Sequence, residues 1–112
     1  MTFPELVKDL KRIPFDEKRK EDEGYFEFVI SYHHLGSLLP ALERYFGVPF
    51  KPPGVKPTRE MDLKTENFGG IQKHQTLYYK EAGAISRCAL IWPWNDGSRA
   101  TVKVAEGSIQ KE

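Results

Sequence analysis

The sequence predicts an α+β domain in two layers: a four-stranded antiparallel sheet with two helices packed on one face. Three observations predict it. Two segments, one starting at Phe3 and one at Ser37, carry apolar residues at helical spacing between start and stop signals. Tyr25 to Tyr32 alternates apolar and polar residues, the period of a strand. Ile71 to Gly107 reads as three more strands joined by two tight turns, a C-terminal meander. The 112 residues are read as one domain, long enough to bury a single core.

In the first helix Phe3, Leu6, Val7, Leu10 and Ile13 form one apolar stripe. Thr2 and Glu5 match a capping box, Pro4 is tolerated in the first turn, and Pro14 stops the helix. Asp16 to Glu23 (DEKRKEDE) is a mixed-sign charge run, read as a solvated turn, and Gly24 opens the first strand. That strand sets Phe26, Phe28, Ile30 and Tyr32 on one face and Tyr25, Glu27, Val29 and Ser31 on the other. His33 and His34 end it.

Ser37 is placed to cap the second helix, with Pro40 in its first turn and Gly47 at its end. Leu38, Leu39, Leu42, Tyr45 and Phe46 supply its buried stripe, and Phe26, Phe28 and Ile30 are expected to meet Leu38, Leu42 and Phe46. Residues 48–70 form a Pro-rich loop or lid, with Pro49, Pro52, Pro53 and Pro57 excluding helix and central strand through Thr58. Arg59 to Thr65 reads either way: Met61 and Leu63 suit an edge strand, while Thr58 could cap a short helix.

Ile71 to Lys80 is a largely polar strand, followed by a turn at Glu81-Ala82-Gly83. Ala84 to Trp92 is apolar on both faces, the mark of a central strand covered at least in part on both sides. Asn95-Asp96-Gly97-Ser98 is a strong hairpin signal. Arg99 to Ala105 completes the sheet with Ala100, Val102 and Val104 inward, and residues 107–112 are expected to fray.

Composition bounds the function. With 17 basic and 16 acidic residues the net charge is +1, and without a basic stripe nucleic acid is not an expected partner. Cys88 is the only cysteine, which suits a reducing compartment. Met1 to Glu5 lacks the basic and apolar regions of a signal peptide, and no apolar run is long enough to span a bilayer. A cytoplasmic protein with no membrane partner is the expectation. Gly69-Gly70 lacks the lysine and hydroxyl residue of a phosphate-binding loop, and no dinucleotide fingerprint occurs, so no cofactor is expected.

Candidate catalytic side chains are few. Glu27 lies mid-strand between Phe26 and Phe28, where a cover would desolvate it into an acid or base. His33 and His74 could join it, but adjacent His33 and His34 would point apart on a strand and no zinc-ligand spacing is present. No metal site is assigned, and Cys88 in an apolar strand reads as core.

The binding candidates are aromatic: Trp92, Trp94, Tyr78 and Tyr25. Pro93 cannot donate to a ladder, so Trp92-Pro93-Trp94 marks a strand end or bulge, and its indoles read as a binding shelf or a core plug. Of Tyr78 and Tyr79 only one can be core. The function expected is a non-catalytic binding or interaction domain, with a protein partner or self-association favoured over a small molecule. The alternative is a pocket protein, ligand binder or acid-base enzyme, with Glu27 and histidines lining a cavity under the Pro-rich loop.

Overall fold

A computed structural model describes residues 2–108. It is an α+β domain with one antiparallel sheet, and the helix at the N-terminus forms as its signals dictate. Helix α1 spans Phe3–Lys11, with Thr2 and Glu5 closing the capping box. Phe3, Leu6, Val7 and Leu10 are buried, and Ile13 packs beside them just past the helix.

The sheet has five strands rather than four. The added one, β1 (Glu17–Asp22), is the charge run expected to be a turn. It pairs with β2 (Tyr25–Ser31) through a tight turn in which Gly24 takes a φ of +78°. All six β1 residues are exposed, so no apolar face was needed to build it.

A 3-10 turn, Tyr32–His34, leads directly into α2 (Leu35–Phe46). The helix therefore begins two residues before Ser37, without a side-chain cap, and Pro40 lies in its interior. Gly47 ends it with a φ of +82°.

Arg59–Thr65 is helix α3, capped by the Thr58 hydroxyl, and a 3-10 turn follows at Glu66–Phe68. The meander comprises β3 (Thr76–Ala82), β4 (Ile85–Pro93) and β5 (Arg99–Ser108). Strand β3 starts five residues later than expected, because residues 71–75 form a turn in which Gln75 Oε1 accepts from the Gln72 amide at 2.8 Å. Strand β5 takes in Gly107 and Ser108, which pair with Ser86 and Ile85. The rest of the expected frayed tail, 109–112, lies outside the described residues.

The strand order is β1-β2-β5-β4-β3, every neighbouring pair antiparallel. Alternation along β2, β5, β4 and β3 then builds two cores. Phe26, Phe28, Ile30, Val102, Val104, Ala89, Ile91 and Tyr78 point to one face, where α1 and α2 cover them with Leu6, Leu10, Leu38 and Leu42. Leu77, Cys88, Leu90 and Ala105 point to the other, where Met61 of α3 and Ile71 cover them. The two-layer expectation is thus corrected: a third helix and the 3-10 turn form a partial layer on the second face. Central strand β4 is covered on both sides, as its composition requires. Among the described residues no helix is long and apolar enough to cross a membrane.

Candidate functional site

The partial layer leaves part of the second face open, and the most distinctive chemistry lies there. Register puts Glu27 of β2 directly opposite Lys20 of β1 on one side and Lys103 of β5 on the other. Paired residues in antiparallel strands share a face. One carboxylate therefore stands between two ammonium groups in a row across three strands. This row floors a groove of about 430 Å³. Asp22 and Glu23, at the β1–β2 turn, line one side, and Asn67 and Phe68 line the other.

Local bonds fix the groove's shape. The Tyr25 hydroxyl donates to Glu27 Oε1 at 2.6 Å, and the Tyr25 ring stacks on Phe68 with centroids 6.3 Å apart. Burial, with the Glu27 carboxylate adding to it, pushes the Tyr25 hydroxyl well above the ordinary tyrosine range. Lys20 Nζ lies 5.7 Å from the Tyr25 ring centre. Lys103 Nζ donates to the Phe68 carbonyl at 2.9 Å and sits 3.5 Å from the centre of the Trp92 ring. Burial draws the Lys103 pKa down, while Glu27 opposes that shift.

Trp92 and Trp94 lie on this same face and are both half-buried. Trp92 packs against the second core, with its Nε1 buried and unpartnered among the described residues. Trp94 sits just beyond β4, where its Nε1 donates to Thr101 Oγ1 at 3.0 Å and the Arg99 guanidinium lies 5.7 Å from its ring. The segment thus divides between the two readings: Trp92 packs largely as a plug and Trp94 borders the open strip. Tyr78 is 1% exposed in the first core, against Phe46, with no surface to offer a partner. Its neighbour Tyr79 reaches the surface and donates to Glu81 at 2.6 Å.

The histidines are not brought to Glu27. His33 and His34 occupy the 3-10 turn after β2, so their rings meet at 4.2 Å between centroids instead of pointing apart. His74 is exposed in the turn before β3, and two strands, β5 and β4, separate β2 from β3. Among the described residues no three His, Cys, Asp or Glu side chains lie close enough to hold a metal. Cys88 is buried in the second core, and burial pushes its thiol up to about 12.

Of residues 48–70, expected to roof a cavity, Met61 and Phe68 pack into the second core, where they join Ile71, Leu77 and Leu90, and the proline-bearing stretch 52–58 is largely exposed. The groove opens beside this layer. Sequence reasoning missed Lys20, Lys103 and Phe68. A strand assignment for residues 17–22 would have supplied Lys20, since the turn at Gly24 sets its register against Glu27.

Comparison with known proteins gives no match: no family model fits the chain, and no curated protein or solved structure is significantly similar to it.

Proposed function

We propose that this protein is a non-catalytic binding domain of the cytoplasm, which holds a protein partner on the open strip of its second sheet face. The observation that carries this reading is the groove floored by Lys20, Glu27 and Lys103. Fixed aromatic groups flank that row, with Tyr25 and Phe68 on one side and the half-exposed Trp94 further along the face. Rings already held in place contribute contact area at little entropic cost, and aromatic anchors dominate protein interfaces. The alternating charges supply the directional contacts that set register with a partner. Both sheet edges are guarded, which favours the face as the contact surface. Strand β1 is wholly charged and bulged between Lys18 and Lys20, and β3 is bridged by Lys51 at Leu77.

The groove's volume also falls within the range of small-ligand sites, so a small polar ligand is the competing occupant. Affinity capture with wild-type, Trp94→Ala and Glu27→Lys baits separates the two, with circular dichroism confirming that each bait is folded. The binding-domain reading expects a protein enriched on wild type and lost from both variants. Equal capture by all three baits would sink it. A small mass excess in the native mass spectrum of wild type, removed by Glu27→Lys, would transfer the groove to the small ligand.

A further inference from the structure

The β3 edge of the sheet is closed by a short strap, and one buried lysine holds it there. Lys51 and Leu77 exchange two backbone hydrogen bonds, both 3.0 Å, and the Gly54 amide donates to the Lys73 carbonyl at 2.8 Å. The Lys51 side chain is 0% exposed. Its Nζ donates to the carbonyls of Pro52 (3.1 Å), Lys73 (2.9 Å) and Gln75 (2.5 Å). All three ammonium hydrogens are used, and every acceptor is a neutral carbonyl. Desolvating an ammonium without a carboxylate is costly, so this bond set is the strap's fastening and also its weak point.

The strap's position matters for what β3 can pair with. Outward-facing backbone groups alternate along an edge strand, and the Leu77 bridge places them on Leu77, Tyr79 and Glu81. The strap takes Leu77, leaving Tyr78 to Ala82. Two copies meeting edge to edge about a two-fold axis normal to the sheet can then centre on Lys80 or on Glu81. Either register sets like charges directly opposite each other, Lys80 against its own copy or Glu81 against its own copy, which is destabilising. A register centred on Tyr79 needs Leu77 free. Once it is free, Thr76 faces Ala82, Leu77 faces Glu81, Tyr78 faces Lys80 and Tyr79 faces Tyr79 of the second copy. No like charges meet.

We propose that the Lys51 strap is a lock on self-association: when it opens, β3 pairs with β3 of a second copy about Tyr79 and joins the two sheets into one. The lock thereby couples a local opening to dimerisation, separately from the groove on the sheet face.

The test is the mass of Lys51→Met, which keeps the aliphatic stem and deletes the three donated bonds, by light scattering over a concentration series. Wild type is expected at monomer mass and the variant at twice that mass as concentration rises. Adding Tyr79→Lys sets lysine opposite lysine at the centre of the register and is expected to restore the monomer. A monomeric Lys51→Met with a native circular dichroism spectrum overturns the proposal, as does a wild-type dimer or a dimer indifferent to Tyr79→Lys. Should Lys51→Met fail to fold, amide exchange of wild type decides. The Leu77 amide is expected to exchange at least about tenfold faster than the Leu90 amide of β4, through opening of the strap alone. Equal protection would mean the strap opens only with the whole domain, and the lock fails.

Discussion

Lys103 holds its ammonium 3.5 Å from the centre of the Trp92 ring while donating to the Phe68 carbonyl at 2.9 Å. One side chain thus ties the 3-10 turn at Glu66–Phe68 to the sheet and lines the groove as well. A cation on an indole face gains most when water is excluded, and a charged donor strengthens the bond to the carbonyl. Replacing Lys103 with Met keeps much of the packing and removes both interactions. The expected loss is roughly 1–3 kcal/mol in urea unfolding, with a changed Trp92 emission in the folded state. Unchanged stability would show that the turn is held by its apolar contacts alone.

Gly69 follows that turn at a φ of +97°, and a Cβ built there would lie 2.5 Å from Cη2 of Trp92. Two costs therefore meet at one residue: left-handed backbone and an indole that is itself packed in the second core. Gly69→Ala is expected to destabilise by about 2–4 kcal/mol, measured by chemical denaturation. Gly70→Ala is the control, since Gly70 has a φ of +82° but nothing within 4 Å of its added Cβ. Equal losses at the two sites would refute the Trp92 contact.

The elements that sequence periodicity could reach were those with an apolar face to bury. Helix α1, the Leu38, Leu42 and Tyr45 positions of α2, and the inward residues Phe26, Phe28 and Ile30 of β2 and those of β5 follow directly from spacing. The hairpin at Asn95–Ser98 follows from its turn chemistry. Leu39 and Tyr32, which spacing also placed inward, are exposed, because Leu39 lies off the covered side of α2 and Tyr32 belongs to the 3-10 turn rather than to β2. Strand β1 carries no such signal. Its side chains serve ionic contacts, Lys11 with Glu21 at 2.6 Å and Lys20 with Asp22 at 3.5 Å, so it reads as a solvated charge run. Helix α3 was undecidable because seven residues are too few to separate two periods, and burial of Met61 and Thr65 at i and i+4 settles it as helix. The groove was less legible still. Glu27, Lys20 and Lys103 are far apart in sequence, and only the β1-β2-β5 order makes them neighbours. Lys51 gave no signal at all, since its carbonyl partners are backbone groups that no residue type announces.

Four tyrosines give the fold a defined alkaline limit. Burial raises Tyr25, Tyr45, Tyr78 and Tyr79 above the ordinary phenol value, with Glu27 adding to the shift at Tyr25 and Glu81 at Tyr79. Above pH about 10 the unfolded chain loses these protons before the folded one, so rising pH favours unfolding. Their contribution is complete below that pH and is lost as pH rises through the folded values. Urea midpoints should be flat with respect to these groups up to pH about 10 and then fall, with phenolate absorbance from the two buried tyrosines, Tyr45 and Tyr78, rising together with loss of the sheet signal. Glu27→Gln should bring the Tyr25 transition to lower pH. A full phenolate signal from a still-folded protein would contradict the assigned burial.

Trp94 offers the sharpest separation of surface role from core role. Its indole donates to Thr101, its amide donates to the Arg99 carbonyl at 2.9 Å, and Arg99 in turn pairs with Asp16 at 2.7 Å. Truncation to Ala removes the indole bond and partial burial but leaves the backbone turn and the Asp16–Arg99 pair in place. The expected cost is about 1–2 kcal/mol. Phe28→Ala, which empties a fully buried position between β2 and the helices, should cost about 3–5 kcal/mol. Partner capture should fall with Trp94→Ala far more than its stability does, because the ring borders the open strip. A stability loss as large as that of Phe28→Ala would place the indole in the core and remove it from the binding surface.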